Sequence, residues 1–407
     1  MKRTIISLMM VLLCAAGANA AKKAKNDGIV KFNLYGTDVQ VRFDASKRVK
    51  VKKGTDAEID KCVAWLGNSI DQTLEDCLKQ KQELELCDWA YLKMLDKFST
   101  AALGQSNEAT LLMAGMLGAS GYNTCVIRFQ NGQLRTLYHT DAFVYNQMFF
   151  TNNNKQYFLY GDTTNISGSA KIIMTMQKND GKMIDFRQSP VIKAEKLTAP
   201  RKITSLKNPD FSFTIQVNQN LLDYYADMPS YSYGNNFMTR WTNMANRPLE
   251  KHLQQTLIKE MKAKLQGKSQ LEQVQQLLWW THGTVDLERQ TPNAECFLYA
   301  YDEEVWGYDR AFYAEETLFY PYCDTEDRSI LLSRLIRDVV GLDVLFVYYP
   351  EHTAIAVCFT DEYVKGAFVV KDGRYYVICD PTYIGSNVGE EMPMVEGKEK
   401  TVMKLER

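Results

Sequence analysis

The chain has 407 residues, of which 48 are Lys or Arg and 49 are Asp or Glu, and hydrophobic residues make up 45% of it. This length exceeds what one ordinary domain needs, so two or three domains are expected. The near balance of charge argues against nucleic acid or an anionic membrane surface as a partner.

The first 20 residues have the pattern of a secretory signal peptide. Two basic residues precede an apolar run, and Ala18-Asn19-Ala20 supplies small residues at the cleavage positions. A lipid anchor on Cys14 is the weaker interpretation, because Leu13 stands where a small residue is wanted. We expect an exported, periplasmic or extracellular protein that lacks residues 1–20. No later segment reaches the roughly 18 apolar residues of a membrane-spanning helix, so no integral membrane segment is expected.

Residues 21–165 are predicted to form a first unit of helices and strands. Alternating residues over 30–43 predict a hairpin. A capping box at Thr55-x-x-Glu58 starts a helix, apolar spacing predicts a long helix over 70–95, and another helix is predicted over 106–117. Strands are then predicted in VIRF, FVYNQMFF and KQYFLYGD.

Residues 166–245 are predicted to form a strand-rich connecting segment, because KIIMTMQ, KMIDFRQSPVI and FSFTIQV alternate like strands. Residues 246–407 are predicted to form a second unit. It opens with a helix over 253–265 that Gly267 ends, and a capping box at Ser269-x-x-Glu272 begins the next helix.

The order of elements repeats along the chain. With Gly121 set against Gly341, NEATLLMAGMLGASGYNTCVI aligns without a gap on DRSILLSRLIRDVVGLDVLFV, and Asp162 and Asp380 follow comparable strands. Few residues are identical, so the order of element types carries the prediction of a diverged duplication. Two unrelated helix-then-sheet segments remain the alternative.

The second unit contains the residue types of a thiol enzyme in a suitable order. Cys323 precedes the helix predicted over 326–340, His352 opens an apolar strand, and Asp380 ends another. A helix N-terminus favours a thiolate, a histidine moves the proton, and a carboxylate holds the histidine in one tautomer. His352 could equally be structural, and Asp380 before Pro381 could only start a turn.

The stretch from about 315 to 385 resembles the transglutaminase-like branch of the papain-type cysteine enzymes. The matching pieces are the helix SILLSRLIRDVVGLDV after an acidic start, the strand HTAIAVCF and the strand GRYYVICDPT. The resemblance implies an α+β, papain-like fold, here duplicated with a degenerate first copy, and a peptide, protein or glycan as ligand or substrate. The four histidines are isolated in the sequence, so neither a metal nor another cofactor is expected.

The chain departs from this family at the nucleophile. Bacterial members commonly begin the helix with Cys-Glu-Asp-Lys/Arg-Ala/Ser, whereas this chain has Thr325-Glu326-Asp327-Arg328-Ser329. In one interpretation Thr325 is an N-cap and the site is inactive. In a second, the loop lets Cys323 reach His352, although two residues span about 6 Å and a nucleophile must come within about 3 Å of its base. In a third, all of these residues are bystanders in another fold.

Two further features bear on function. The first copy has Leu103 and Gln105 where the second has Cys323 and Thr325, so it lacks a thiol at both places. Residues 297–322 include ten aromatic residues, whereas an average of 12% would give about three, and this aromatic insertion suits either ligand binding or core packing. We therefore expect an impaired enzyme that binds a peptide or glycan; the alternative is an active cysteine peptidase or amide transferase.

Eight cysteines follow the predicted signal peptide, and an exported protein could pair some of them. Their spacing does not define the pairs. These cysteines are Cys62, Cys77, Cys87, Cys125, Cys296, Cys323, Cys358 and Cys379.

Overall fold

The structure is a computed structural model that describes residues 28–68, 70–161, 168–234, 236–285 and 295–406. The predicted signal peptide and Asp162 lie outside the described residues. The chain forms two compact units, Met1–Ala194 and Glu195–Arg407. The predicted boundaries differ from this division, because the connecting segment proposed for 166–245 is shared between the two units.

The first unit begins with the expected hairpin of β1 (Ile29–Leu34) and β2 (Thr37–Arg42), which pair antiparallel. The strands reverse at Tyr35 and Gly36, both with positive φ. Two consecutive residues with positive φ are the mark of the tight hairpin turn whose twist matches the strands.

Four helices follow, one more than predicted. The capping box of Thr55 and Glu58 begins the first of them, as expected. The helical region predicted over 70–95 is divided into two helices, because Glu85 takes a left-handed conformation with φ 52° and the amide of Leu86 donates to the carbonyl of Lys81. The helices are α1 (Asp56–Gly67), α2 (Ile70–Glu83), α3 (Asp88–Leu103) and α4 (Asn107–Ala119).

The first unit closes with a curled, antiparallel five-stranded sheet in the order β6-β7-β4-β3-β8. The predicted strand FVYNQMFF is interrupted, since Asn146 has a positive φ. Helix α4 packs on β3 and β4, and Cys125, Ile127, Leu137 and Tyr157 lie in the buried cluster of the sheet. The strands are β3 (Thr124–Phe129), β4 (Leu134–His139), β5 (Ala142–Val144), β6 (Phe149–Asn152), β7 (Lys155–Leu159) and β8 (Ala170–Met176).

The second unit opens with mixed structure where only strands were predicted. KMIDFRQSPVI forms no strand, while Asn218 caps an unpredicted helix by accepting from the amide of Asn220. The elements are β9 (Arg201–Thr204), β10 (Ser212–Ile215), α5 (Gln219–Ala226), β11 (Tyr231–Tyr233) and α6 (Thr239–Asn246).

The predicted helices after Pro248 are present. One is continuous through a π-helical turn, as α7 (Lys251–Leu253), the turn Gln254–Ile258 and α8 (Lys259–Leu265). The Ser269 capping box begins α9 (Gln270–His282).

A small parallel sheet of β12 (Thr284–Val285), β13 (Leu298–Tyr299) and β14 (Tyr322–Cys323) follows. The short helices α10 (Asp302–Val305) and α11 (Ala314–Phe319) lie within the aromatic insertion.

The site is carried by α12 and a second curled five-stranded sheet. Helix α12 (Thr325–Leu335) continues into the π-helical turn Ile336–Val340, ends at the left-handed Gly341 and packs on β15 and β16. The strand order β17-β18-β16-β15-β19 repeats that of the first sheet, which is compatible with a duplicated α+β fold. The strands are β15 (Asp343–Tyr349), β16 (His352–Cys358), β17 (Phe368–Lys371), β18 (Arg374–Cys379) and β19 (Thr401–Lys404).

Among the described residues, no helix has both the length and the apolar character needed to cross a bilayer. The eight cysteines after the predicted signal peptide are all buried free thiols.

Candidate functional site

His352 and Asp380 meet at one end of the second sheet. Ile355 pairs with Cys379, so Asp380 comes opposite Ala354 and shares a face of the sheet with His352, two residues earlier. Nε2 of His352 lies 2.7 Å from Oδ2 of Asp380, and both side chains are buried. Sheet register therefore brings together two residues that are 28 positions apart.

The other carboxylate oxygen of Asp380 is fixed by the turn that follows. Oδ1 accepts from the amide and hydroxyl of Thr382, at 3.0 and 2.9 Å, and from the amide of Tyr383 at 3.1 Å. Asp380 thus starts a turn with one oxygen and binds His352 with the other. A carboxylate held in this way orients the imidazole and leaves its Nδ1 as the nitrogen that can exchange a proton.

The thiol of Cys323 has other partners. Its Sγ accepts from Nε of Arg328 at 3.3 Å and lies 3.8 Å from the carbonyl oxygen of Leu298, to which the thiol proton can be donated. The side chain is 1% exposed. Burial raises the pKa of the thiol, and the nearby Arg328 opposes this without cancelling it. Cys323 is therefore held as a neutral thiol.

Arg328 is a buried cation that the sequence did not single out. Besides Cys323, its guanidinium binds the carbonyl of His282 and lies 5.5 Å from the ring of Tyr299. Its Nη2 has no hydrogen-bond partner among the described residues. Leaving a buried donor unpaired costs free energy. The contacts of the guanidinium with Cys323, His282 and Tyr299 must therefore offset this cost and hold Arg328 in its position.

His282 was also missed, because its neighbours are about 100 positions away. It ends α9, its Nδ1 accepts from the amide of Gly385 at 3.2 Å, and its Nε2 lies 3.3 Å from the carbonyl oxygen of Asp380. Burial lowers the pKa of His282 to about 4, and the charge of Arg328 contributes to this shift. His282 is thus neutral near pH 7 and supports the backbone of Asp380. No local pattern in the sequence could have signalled this contact.

Thr325 is the first residue of α12, and the prediction that it caps the helix is wrong. Asp324 is the N-cap: its carboxylate accepts from the amide of Asp327, whose own carboxylate accepts from the amide of Asp324. The reason is that Asp324 takes the extended conformation a cap requires. The hydroxyl of Thr325 donates to the carboxylate of Glu326 at 2.6 Å.

Two carboxylates hold the aromatic insertion in place, one from the first turn of α12 and one from within the insertion. Oδ1 of Asp327 accepts from the amide of Phe312, and Oδ2 of Asp302 accepts from the amide of Arg310, both at 2.7 Å. Burial raises the pKa of Asp302 to about 7, and it also raises that of Asp327. Within the described ranges, no group of His, Cys, Asp or Glu side chains is arranged to hold a metal ion.

The ten rings of the insertion differ in exposure: three are buried, five are half-buried and two are exposed. Phe297, Phe312 and Tyr313 are buried, so the core-packing interpretation holds for them. Tyr301 and Tyr308 are 60% and 58% exposed. Exposed rings of this size are available to a ligand.

Comparisons of the chain with protein-family models, curated proteins and solved structures find no match. The transglutaminase-like resemblance therefore stays a prediction that rests on the residues themselves.

Proposed function

We propose that this protein is an exported, catalytically impaired member of the transglutaminase-like group, which binds an extracytoplasmic peptide or glycan instead of cleaving it. The observation that carries the proposal is the hydrogen bonding of Cys323, whose sulfur contacts Arg328 and Leu298. A thiol enzyme needs a thiolate beside a histidine, and this sulfur is buried and protonated.

Thr325, at the position where the family has its cysteine, does not replace that thiol. Its hydroxyl donates to Glu326. A threonine is a weak nucleophile unless a base removes its proton, and in the family that the chain resembles this base is a histidine. In the described part of the chain, the hydroxyl of Thr325 is bonded to Glu326 and not to His352. Neither residue offered for the nucleophile is therefore hydrogen-bonded to the histidine.

One observation favours the alternative, an active cysteine peptidase or amide transferase. The pair of His352 and Asp380 has the hydrogen bond that a catalytic dyad requires. In this alternative, Cys323 would attack a carbonyl carbon, His352 would take and return the proton, and Asp380 would orient the imidazole. That function requires Cys323 to leave Arg328.

The pH dependence of alkylation at Cys323 tests the proposal. We expect the thiol of the folded chain from residue 21 to react slowly with iodoacetamide from pH 5 to 9, with no change on His352→Ala, as peptide mass spectrometry would show. Rapid alkylation well below the ordinary thiol pKa of about 8.5, abolished by His352→Ala, would establish the enzyme instead.

A restored nucleophile tests the scaffold. If the resemblance places position 325 correctly, Thr325→Cys should introduce a thiol that reacts at lower pH than Cys323 does, and His352→Ala in the same chain should remove this advantage. A thiol at 325 that reacts identically with and without His352 would contradict the family assignment, while leaving the inactivity of Cys323 intact.

A further inference from the structure

A cavity of about 250 Å³ lies in the second unit between the aromatic insertion and the segment that joins α5 to α6. Four tyrosines, two arginines and two acids are among its lining residues. We propose that this cavity binds one ring of a neutral sugar. The inference rests on the proposed binding function and names its ligand and its site.

One aromatic side chain of the lining offers its face to a ring. Tyr225, Tyr231 and Tyr313 form a buried wall of the cavity, in which Tyr225 and Tyr313 stack on each other with centroids 4.0 Å apart. Tyr308 lines the cavity while remaining 58% exposed, so a ligand can reach its ring. A rigid tyrosine with an apolar face and a polar hydroxyl can cover the C–H face of a sugar ring at little cost in conformational entropy.

The charges of the lining are already neutralised. Nη1 of Arg240 lies 3.0 Å from Oδ2 of Asp309, and Nη2 of Arg310 lies 3.1 Å from Oε1 of Glu316. A ligand carboxylate, phosphate or ammonium would meet a group of its own charge beside each oppositely charged side chain of the lining. Sugar hydroxyls, which both donate and accept, can bind beside such pairs without separating them.

The size of the cavity limits what can enter it. Pockets for drug-sized ligands are roughly 300–1,000 Å³, so about 250 Å³ admits one ring and not a length of peptide. A terminal or branching sugar of a glycan meets this limit, with the rest of the glycan outside.

The cavity is electrostatically linked to the start of α12. Burial raises the pKa of Glu326, the charge of Asp309 raises it further, and Arg240 lowers it. Glu326 in turn accepts from Thr325, the residue at the expected nucleophile position. Two charged residues of the cavity lining thus act on the carboxylate that binds Thr325.

The test is binding of neutral methyl glycosides of glucose, galactose, mannose and N-acetylglucosamine, measured by saturation-transfer NMR on the chain from residue 21. At least one should bind in the millimolar range. Tyr308→Ala should weaken binding by about fivefold to tenfold, since it removes the exposed ring. Tyr308→Phe should keep affinity within about twofold, because the face remains.

Tyr301→Ala is the matched control, because Tyr301 is 60% exposed on the same insertion and does not line the cavity. It should leave binding unchanged. The proposal is overturned if none of the glycosides binds, if Tyr301→Ala weakens binding as much as Tyr308→Ala, or if a neutral tripeptide binds through Tyr308 and the sugars do not.

Failure of this inference can be told apart from failure of the proposed function. Sugar binding depends on Tyr308 and should persist in His352→Ala, whereas the inactivity of the enzyme depends on Cys323. A reactive Cys323 with intact sugar binding would therefore leave the cavity assignment standing and reject the impaired-enzyme proposal alone.

Discussion

At the level of single residues, the second unit keeps several ionisable side chains away from water. Glu315 is 2% exposed; its Oε1 accepts from the amide of Glu250 at 2.9 Å, and its Oε2 accepts from the hydroxyl of Tyr225 at 3.4 Å. Burial raises the pKa of Glu315 to about 7. The backbone donors favour the charged carboxylate and lower the pKa, but the cost of burying the charge is larger and decides the direction of the shift.

Glu315→Gln should change how stability depends on pH. The pKa of Glu315 is higher in the folded than in the unfolded protein, so its contribution is complete below about pH 4 and is lost as pH rises through 7. The variant should therefore gain about 3 kcal/mol in free energy of unfolding, relative to the original chain, between pH 4 and 8.

Urea unfolding at several pH values measures this difference, with Glu303→Gln on an exposed side chain as the control. A difference that stays constant with pH would show that Glu315 does not titrate in this window.

Gly283, directly after His282, is a second residue with a defined role. Its φ is +54°, and an added Cβ would lie 1.9 Å from the carbonyl oxygen of Phe297. That oxygen accepts from the amide of Thr284, so the neighbouring strands cannot move apart without losing a hydrogen bond. The close approach explains why glycine is needed here.

Gly283→Ala should lower the free energy of unfolding by about 3 kcal/mol, since it combines left-handed strain with a steric clash. Gly307→Ala is the control: it has a similar φ of +78° with nothing within 4 Å, and should cost only about 1 kcal/mol. Equal losses in thermal or urea unfolding would show that strain alone matters at Gly283.

At the level of elements, the position of the N-cap of α12 determines the role of Thr325. Asp324 and Asp327 satisfy each other's backbone amides, so the helix begins at residue 325, one residue earlier than a cap at Thr325 would give. This places Thr325 inside the first turn. Its hydroxyl is then available to Glu326 and not to the helix backbone.

The cap can be tested by three substitutions. Asp324→Ala should be less stable than Asp324→Asn by about 1 kcal/mol, because asparagine keeps the acceptor and alanine removes it. Thr325→Ala should cost less than about 0.5 kcal/mol, as expected for a side chain without a capping role. If Thr325→Ala were the most destabilising of the three in urea unfolding, the cap would be at 325 after all.

At the level of the whole molecule, two sheets with one strand order carry different residues. In the second sheet His352 pairs with Tyr349, and in the first sheet the pairing of Arg128 with Leu134 continues with the hydrogen bond from Phe129 to Gln133. With the sequence offset of 220, Phe129 corresponds to Tyr349, so strand register places Gln133 where the second sheet has His352. That the first unit is a degenerate copy stays a prediction from the sequence.

The second unit should fold without the first. Residues Glu195–Arg407 form a compact unit with its own buried cluster that includes Leu345, Ile378 and Val395. We expect this fragment to show native-like circular dichroism and one cooperative thermal transition. It should also retain the Tyr308-dependent binding of the sugar. A fragment without a cooperative transition would show that its stability depends on the first unit.

The sequence by itself determined the helices and strands whose causes are local. Capping boxes at Thr55 and Ser269 and the alternation in HTAIAVCF and RYYVIC need only neighbouring residues, so they were predicted. The helix break at Glu85 was missed, because residues on both sides have helical spacing and only the backbone conformation separates them.

The tertiary structure alone decided the chemistry of the site. The pairing of His352 with Asp380 was expected from their positions in two strands, and sheet register brings them together. The partner of Cys323 was not predicted, although Arg328 is near it in sequence. The guanidinium of Arg328 contacts the sulfur and the carbonyl of His282, which lies on a helix distant in sequence, and only the packing of the folded chain decides this arrangement. Burial then determines the protonation of the thiol, and burial is a property of the folded chain.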